Sequence, residues 1–495
     1  MLLFFTLIIA ICWILYELMI WTLSSYLIWD SIRQFSFTIW FFMSGLWIWA
    51  YFTRFLEKNA IYNFLRIELL LSVIWASSVI ILKLAYIYLS DSDISFQFIY
   101  FFMTILLWSM VWIEIPMVAE IYKQLKIKTK SIISDIFTFD YIWWLFAALL
   151  FPLILLPYLW LYNISIFIWS LNLLVWFLYI NYLRTKKIYL TKYYFIVLAI
   201  FIYFIFLIFI STRLENIYLK FYYKEPILQT YQTNYQNIVL TKRGEDFRMY
   251  LNWNIQFLSL DEHRYHEALV DWSFKLIDKN KDKLNVLVLG WWDGLVVRNL
   301  LKHKNIENIT LVDLDPKMIE ISQTQKDMVK LNENSLNNEK VKIINTDAFK
   351  YIEKNEKKYD YIIADFPDPR DVYTSKLYSK EFYIWINWSL SKNWVFVTQA
   401  SSSFFATKAF WSIKKTVEWV FWNSLAYHRY LPSFWDWGFV SAKKWDLWNT
   451  DICPKLWCEW FDKDYMLHYD EVKENTLTNP EIINYYIEGY KKYNL

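Results

Sequence analysis

Six glycines in 495 residues leave this chain nearly without the residue type that tight turns and close backbone approaches require. Thirty tryptophans accompany them, and several stand where glycine is needed. Together the two come to roughly the 7% share that glycine alone usually holds. The clearest case is Val286–Leu301, VLVLGWWDGLVVRNLL, which reads as a strand, a tight turn and a helix. Two adjacent indoles do not suit a turn that needs positive φ and close ligand approach. With glycine at Trp291 and Trp292 the stretch becomes VLVLGGGDGLVVRNLL, a nucleotide-binding loop. Interfacial aromatic belts account for tryptophan in apolar segments, but not for Trp291, Trp292, Trp394, Trp422 and Trp435 in the polar half. The pattern predicts a gene that uses UGA as glycine, written out here with tryptophan. Trp411 and Trp437, in hydrophobic rather than turn contexts, read as true tryptophans.

The length suits two or three domains. Hydrophobic residues make up 57% of the chain, and the excess lies in residues 1–212. From about residue 213 the chain turns rich in Lys, Asp, Glu and Asn. A net charge of +3 with lysines dispersed among acids shows no nucleic-acid footprint. Cys12, Cys453 and Cys458 are too few for a disulfide framework, and no second pair is present for zinc, so no metal site is expected.

Seven apolar stretches, approximately 2–28, 36–55, 67–90, 96–121, 141–162, 164–183 and 193–212, are long enough to cross a bilayer. They predict an α-helical transmembrane bundle over 1–212 and a multi-pass protein of the cell membrane. The first lacks a basic start and a cleavage site and reads as an uncleaved helix. Glycine at Trp13, Trp21, Trp29, Trp40, Trp47 and Trp49 would let helices approach closely. Glu17, Glu114 and Asp140 lie near or inside the spans, where capping and packing roles compete with function. Basic clusters at Arg54–Arg66, Lys123–Lys130 and Arg184–Lys192 share one face, which the positive-inside rule makes cytoplasmic. An odd span count then puts the C-terminal half on the opposite face, unless one stretch does not cross.

Residues 213–228 read as a linker and 229–283 as a β-hairpin region, with turn signals at Arg243–Asp246 and Asn252-Trp253-Asn254. Residues 284–450 alternate strand-like and helical stretches, the pattern of a Rossmann-like, doubly wound α/β sheet. The strand-like stretches are Asn285–Gly290, Ile309–Asp313, Val341–Asn345, Tyr359–Asp365 and Trp394–Gln399. Residues 451–495 read as a C-terminal extension.

Ligands of such sheets bind beyond the carboxyl ends of the strands, and acids recur there. Asp293 follows Gly290 and precedes Gly294 in the first loop, Asp313 ends the second strand, Asp347 follows the third and Asp365 ends the fourth. Any one of them alone would more often be a loop acid or a helix cap. As a periodic set they argue for a nucleoside site, with Asp313 placed for ribose hydroxyls. Asp365-Phe366-Pro367-Asp368-Pro369 adds two carboxylates three residues apart in a proline-stiffened loop. That pair suits a diamine, whose ammonium groups need anionic partners and whose attacking nitrogen must lose a proton. A simple turn is the competing reading.

Over residues 229–445 the chain resembles the polyamine aminopropyltransferase (spermidine synthase) family. The resemblance rests on Tyr235-Gln236-Asn237-Ile238, Asn254–Phe257, Asp261–Glu267, the Gly290 loop, Val312–Pro316, Thr346-Asp347-Ala348, Asp365–Pro369, Leu377-Tyr378-Ser379, Ala409–Ile413 and Pro432–Phe439, in colinear order. In the apolar half, Trp112–Pro116 and Asp140–Leu145 look like stretches of the membrane-fused members once their tryptophans are read as glycine.

The resemblance implies aminopropyl transfer from decarboxylated S-adenosylmethionine, a co-substrate rather than a resident cofactor, to putrescine or a related polyamine. Spermidine and methylthioadenosine would be the products. It implies that Gln236 and Asp293 contact the donor's aminopropyl-sulfonium part, with Gly290 and Gly294 shaping the loop. Asp313 would hold the ribose, and Asp347 with Ala348 the adenine. Asp365 would be the general base, and Asp368, Tyr265 and His266 would line the amine channel. Phe434 departs from a tyrosine common in soluble members. Homodimers or higher homo-oligomers are implied by the same analogy. An S-adenosylmethionine-dependent methyltransferase and a non-catalytic polyamine sensor or transporter are the alternatives.

Overall fold

Long runs of Leu, Ile and Phe with few breakers dictate helix through most of the first half. The computed structural model describes the chain outside residues 1, 28–35, 38, 42, 46–50, 53–54, 90–92, 112–113, 126–131, 160, 234, 253, 278–280, 291, 444–468 and 493–495. Expectations at Trp29, Trp47, Trp49, Arg54, Trp112, Trp253, Trp291, Cys453 and Cys458 therefore fall outside the described residues, as do the side chains of Glu114 and Asp140. Two units result, residues 1–242 with 250–254 and residues 243–249 with 255–495.

In the first unit, helices cover Leu2–Leu27, Ala60–Leu89, Asp93–Val111, Glu114–Gln124, Ile132–Leu150, Leu161–Thr185 and Thr191–Tyr223. Three segments among the described residues, Glu57–Leu89, Asn163–Thr185 and Thr191–Ile210, are long and apolar enough to cross a membrane. The stretch 96–121, read as one span, is divided between two helices. Aromatic packing holds the helices together: Tyr16 stacks on Trp75 with centroids 5.0 Å apart and donates its hydroxyl to the Trp75 carbonyl. Glu68, not singled out in the sequence, is buried among these helices.

The supposed linker 213–228 is not one. The last helix continues to Tyr223, with Tyr218 and Tyr223 buried, and ends on Lys224 in the left-handed conformation. Strand β1 (Ile227–Gln232) follows and pairs antiparallel with β2 (Asn237–Arg243). Most of β3 (Asp246–Leu251) and most of β4 (Asn254–Leu258) fall in the second unit.

The second unit is built on a seven-stranded sheet. Its strands are β5 (Leu284–Leu289), β6 (Ile306–Asp313), β7 (Val341–Asn345), β8 (Tyr359–Ala364), β9 (Leu390–Ser402), β10 (Ser424–Leu431) and β11 (Trp435–Lys443). The order is β10-β11-β9-β8-β5-β6-β7. Strands β5 to β9 run parallel, β11 adds antiparallel to β9, and β10 adds antiparallel to β11. β5 and β8 are near-continuously apolar and buried, as strands covered on both faces must be. The chain leaves β5 toward β6 and β7, then returns to β8 on β5's other side. The carboxyl ends of β5 and β8 thus form the switch point where such sheets open a crevice.

The C-terminal residues are not an appendage. Helix Glu481–Lys492 packs on helix Thr407–Phe421, and Ile482 and Tyr486 join the core that contains Phe405, Phe410 and Trp411.

Candidate active site

Two glycines shape the loop after β5. Gly290 has φ +79°, its N–H bonds the Val312 carbonyl at 2.8 Å, and a Cβ there would lie 2.2 Å from the Asp365 carbonyl oxygen. Gly294, at φ +81°, starts helix Leu295–Leu301 and receives the Ser335 hydroxyl on its carbonyl at 2.7 Å. Only glycine holds both the conformation and the close approach. Trp292, between them, is buried.

Asp293 is 1% exposed. Its Oδ1 accepts the Leu295 N–H at 2.7 Å, while Oδ2 has no hydrogen-bond partner among the described residues. Burial pushes this carboxyl up to about 7, against the nearby His266 charge and the Leu295 N–H. Asp365 is equally buried, and burial raises it to about 8 even though the Tyr265 hydrogen bond and the His266 charge oppose the shift. Its Oδ1 takes the Tyr265 hydroxyl and its Oδ2 has no hydrogen-bond partner among the described residues. Asp368 repeats the pattern: Oδ2 accepts the Tyr486 hydroxyl at 3.0 Å and Oδ1 has no hydrogen-bond partner of good geometry among the described residues. Burial raises it too, while Arg370, Ser401 and Tyr486 pull the other way.

His266, 1% exposed, is oriented from behind. Its Nδ1 bonds the Glu262 carbonyl at 2.7 Å and the Glu262 carboxylate at 2.9 Å, and both partners are acceptors, so Nδ1 carries a proton. Nε2 faces Asp293 Oδ2 at 3.9 Å. Burial disfavours the imidazolium, but the Glu262 bond and the Asp293 charge outweigh it and leave the ring more basic than usual. Arg298 grips Glu262 through two bonds of 2.9 and 3.0 Å and also donates to the Leu331 carbonyl. Glu262 is thereby held well below the usual carboxylate range, with His266 contributing ahead of Arg298 against its burial. Bidentate geometry of this kind fixes direction as well as charge.

The Asp365–Asp368 loop is fastened by its backbone. Tyr378 donates to the carbonyls of Phe366 (3.0 Å) and Pro367 (3.1 Å), and Gln399 donates to Phe366 and to Tyr378. Tyr265 packs at a tilt against Phe439, and Trp437 meets both Tyr265 and Phe434 edge-on.

Asp313, Asp347 and Ala348 fall around the same sheet edge. Asp313 ends β6, accepts the Asp315 N–H, and is raised by burial to about 6. Asp347 caps helix Ala348–Glu353 through Phe349 N–H, and its second oxygen pairs with Lys376 at 2.7 Å. Both oxygens are therefore engaged, and Ala348 is buried beside it. Gln236 belongs to the first unit, where its N–H bonds Thr233 Oγ1 at 3.0 Å. Among the described residues no cluster of three metal-ligating side chains occurs. Glu262, Arg298 and Tyr486 went unnoticed in the sequence. Glu262 lay inside a quoted motif, and a buried-position arginine 36 residues away was the only hint of its partner.

A glycine-turned loop at a switch point, beside three buried aspartates and a histidine more basic than usual, defines the site of an α/β enzyme domain. Residues 262–451 match the spermine/spermidine synthase domain model. The chain is 36% identical over 440 residues to a polyamine aminopropyltransferase of Leptospira interrogans, covering 88% of this chain and 86% of that one. It is 29% identical over 505 residues to one of Oceanobacillus iheyensis, covering 98% and 96%. A third, polyamine aminopropyltransferase 2 of Aquifex aeolicus, is 32% identical over 480 residues, covering 94% of each. Alignments this long extend into the helical first half. The chain belongs to the polyamine aminopropyltransferase family.

Proposed function

We propose that this protein transfers the aminopropyl group of decarboxylated S-adenosylmethionine to putrescine or a similar polyamine, releasing methylthioadenosine. The observation that carries the reading is Asp365: a buried carboxylate with one oxygen held by Tyr265 and the other unpartnered, three residues from a second buried acid. The amine nitrogen forms a bond to the propyl carbon next to sulfur, the C–S bond breaks, and its electron pair neutralises the sulfonium. The proton lost by nitrogen goes to Asp365 Oδ2. A sulfonium leaves readily, so positioning and deprotonation are the main tasks. A base raised by burial toward neutrality is matched to that task. Asp293 and His266 would face the donor's aminopropyl-sulfonium part, Asp313 the ribose and Ala348 the adenine. Gly290 and Gly294 keep the loop close to them.

The three helices long and apolar enough to cross a membrane support attachment of this catalytic half to a bilayer through a multi-pass region. Incubating purified full-length protein with labelled donor and a series of amines tests the reaction. Methylthioadenosine and an aminopropylated amine are expected. Methyl transfer from S-adenosylmethionine, or amine binding without methylthioadenosine, would replace the reading with one of its alternatives.

We also infer that many tryptophans written here are glycine in the native protein. Trp422 ends a helix at φ 65° with its N–H on the Glu418 carbonyl, and its side chain is 84% exposed. Trp435 takes φ 63° where the β10–β11 hairpin closes, paired with Leu431, and is 53% exposed. Bulky residues rarely adopt this conformation, and a helix end of this form favours glycine. Trp411, by contrast, is 3% exposed and packs edge-on against Phe410 and Tyr469, as a true tryptophan would. Trp394 sits buried in a strand against Phe421, where the backbone makes no demand for glycine. Peptide masses from the native organism across residues 286–301 and 417–437 decide each position. Indole masses at 291, 292, 422 and 435 would end the proposal.

A further inference from the structure

We propose that Tyr486, on the C-terminal helix Glu481–Lys492, is a positioning residue of the acceptor pocket that sets how the distal ammonium of a diamine is recognised. The proposal rests on the aminopropyl-transfer reading. The family-model match ends at residue 451, so this helix lies outside the matched domain. Yet Tyr486 is 3% exposed and donates to Asp368 Oδ2 at 3.0 Å, bridging 118 residues of sequence.

A carboxylate on a short side chain has few ways to orient once one oxygen is tied. With Oδ2 held by Tyr486, Asp368 presents Oδ1, which is buried and without a hydrogen-bond partner of good geometry among the described residues, the Ser401 hydroxyl and the Arg370 charge lying near the carboxyl. A buried anionic oxygen left so requires a proton or a cation. Asp365 Oδ2, the proton acceptor, is the other such oxygen in the same loop. A diamine carries one nitrogen for each: the attacking nitrogen goes to Asp365 and the distal ammonium to Asp368.

The hydroxyl is not what docks the helix. Asn475, fully buried, donates its side chain to the Ser375 carbonyl (2.8 Å) and its N–H to Thr416 Oγ1 (2.9 Å), and accepts the Lys380 N–H (2.8 Å). Gly489 lies so close to the Phe405 carbonyl that an added Cβ would stand 2.1 Å away. The Tyr486 ring itself packs against Phe405 and Tyr490. Removing only the oxygen therefore leaves the helix in place and frees the carboxylate.

The test is Tyr486→Phe in the full-length protein, assayed with putrescine and with 1-aminobutane, which has the same carbon chain and no distal ammonium. Methylthioadenosine affinity, read by calorimetry, should be unchanged in the variant and shows that the domain is folded. The diamine KM should rise about 10- to 100-fold, the range for losing a hydrogen bond to a charged group, with kcat nearly kept and monoamine turnover unaltered. Asp368→Asn should produce the same selective loss, and the double variant should be no worse than the worse single one. Equal loss on both amines, or no loss on either, would overturn the role of Tyr486. Absence of methylthioadenosine formation by the unaltered protein with every amine would instead overturn the transfer reading beneath it.

Discussion

The Tyr265 hydroxyl donates to Asp365 Oδ1 at 2.5 Å, although 100 residues separate the two in sequence. The tyrosine is itself buried, and burial together with the Asp365 charge holds its proton firmly. It acts as a fixed donor that orients the carboxylate and leaves the opposite oxygen to the substrate.

Asp365→Asn should keep methylthioadenosine affinity and lose turnover by roughly 10²- to 10⁴-fold, the usual contribution of a general base. Single-turnover measurements with saturating donor give the rate directly. Unchanged turnover near neutral pH would remove Asp365 from the mechanism.

Tyr265→Phe should act through the same carboxylate. The tyrosine hydrogen bond lowers the Asp365 proton affinity, so its loss raises an already elevated value of about 8. The acid limb of the kcat/KM profile then moves to higher pH, and the deficit is larger at pH 7 than at pH 9. A deficit constant across pH would show that the hydroxyl does not tune the base.

Asp293 links the site to stability. Its carboxyl goes from an ordinary 3.8 to about 7 on folding. Between those values the folded protein holds a proton that the unfolded chain has released. Its contribution is therefore complete below about pH 4 and is lost as pH rises through about 7. Asp293→Asn, free of that loss, should melt above the parent at pH 8 and level with it at pH 4, both without ligand. A variant that melts lower at pH 8 contradicts the assignment.

Trp422→Gly and Trp435→Gly should each raise the melting transition, since a non-glycine residue held in a left-handed conformation costs on the order of 1–3 kcal/mol. Trp411→Gly should lower it, by at least the roughly 3–5 kcal/mol of a buried Trp→Ala change. Destabilisation at 422 and 435 would argue that their indoles belong there.

Much of the site was legible because α/β sheets put function at strand ends, and acids at those ends stand out against apolar strands. Asp293, Asp313, Asp347 and Asp365 were found that way, and the structure gathers them along the carboxyl edge of the sheet. Asp347 shows the limit of such reading, because its pairing with Lys376 leaves no oxygen open. Tyr486 was not legible: an amphipathic helix near the end of the chain carries no sign of the carboxylate it will meet. The helix through 213–223 was missed for another reason. Its Arg, Glu, Asn and Lys residues read as a change of segment, while the buried tyrosines among them carry the helical face onward.

The oxygens of Asp293, Asp365 and Asp368 that have no partner among the described residues give the enzyme one more property. Near neutral pH Asp293 and Asp365 retain protons that exposed carboxylates would have shed, and burial moves Asp368 in the same direction. An incoming alkylammonium or sulfonium must expel them, so association is an ion exchange in which one cation replaces another. Amine affinity should therefore climb as pH rises across the ionisation of these acids, until the amine loses its own charge. The heat of binding should follow the ionisation enthalpy of the buffer that takes up the displaced protons. The same carboxylates that make the site basic thus meter its occupancy by acidity.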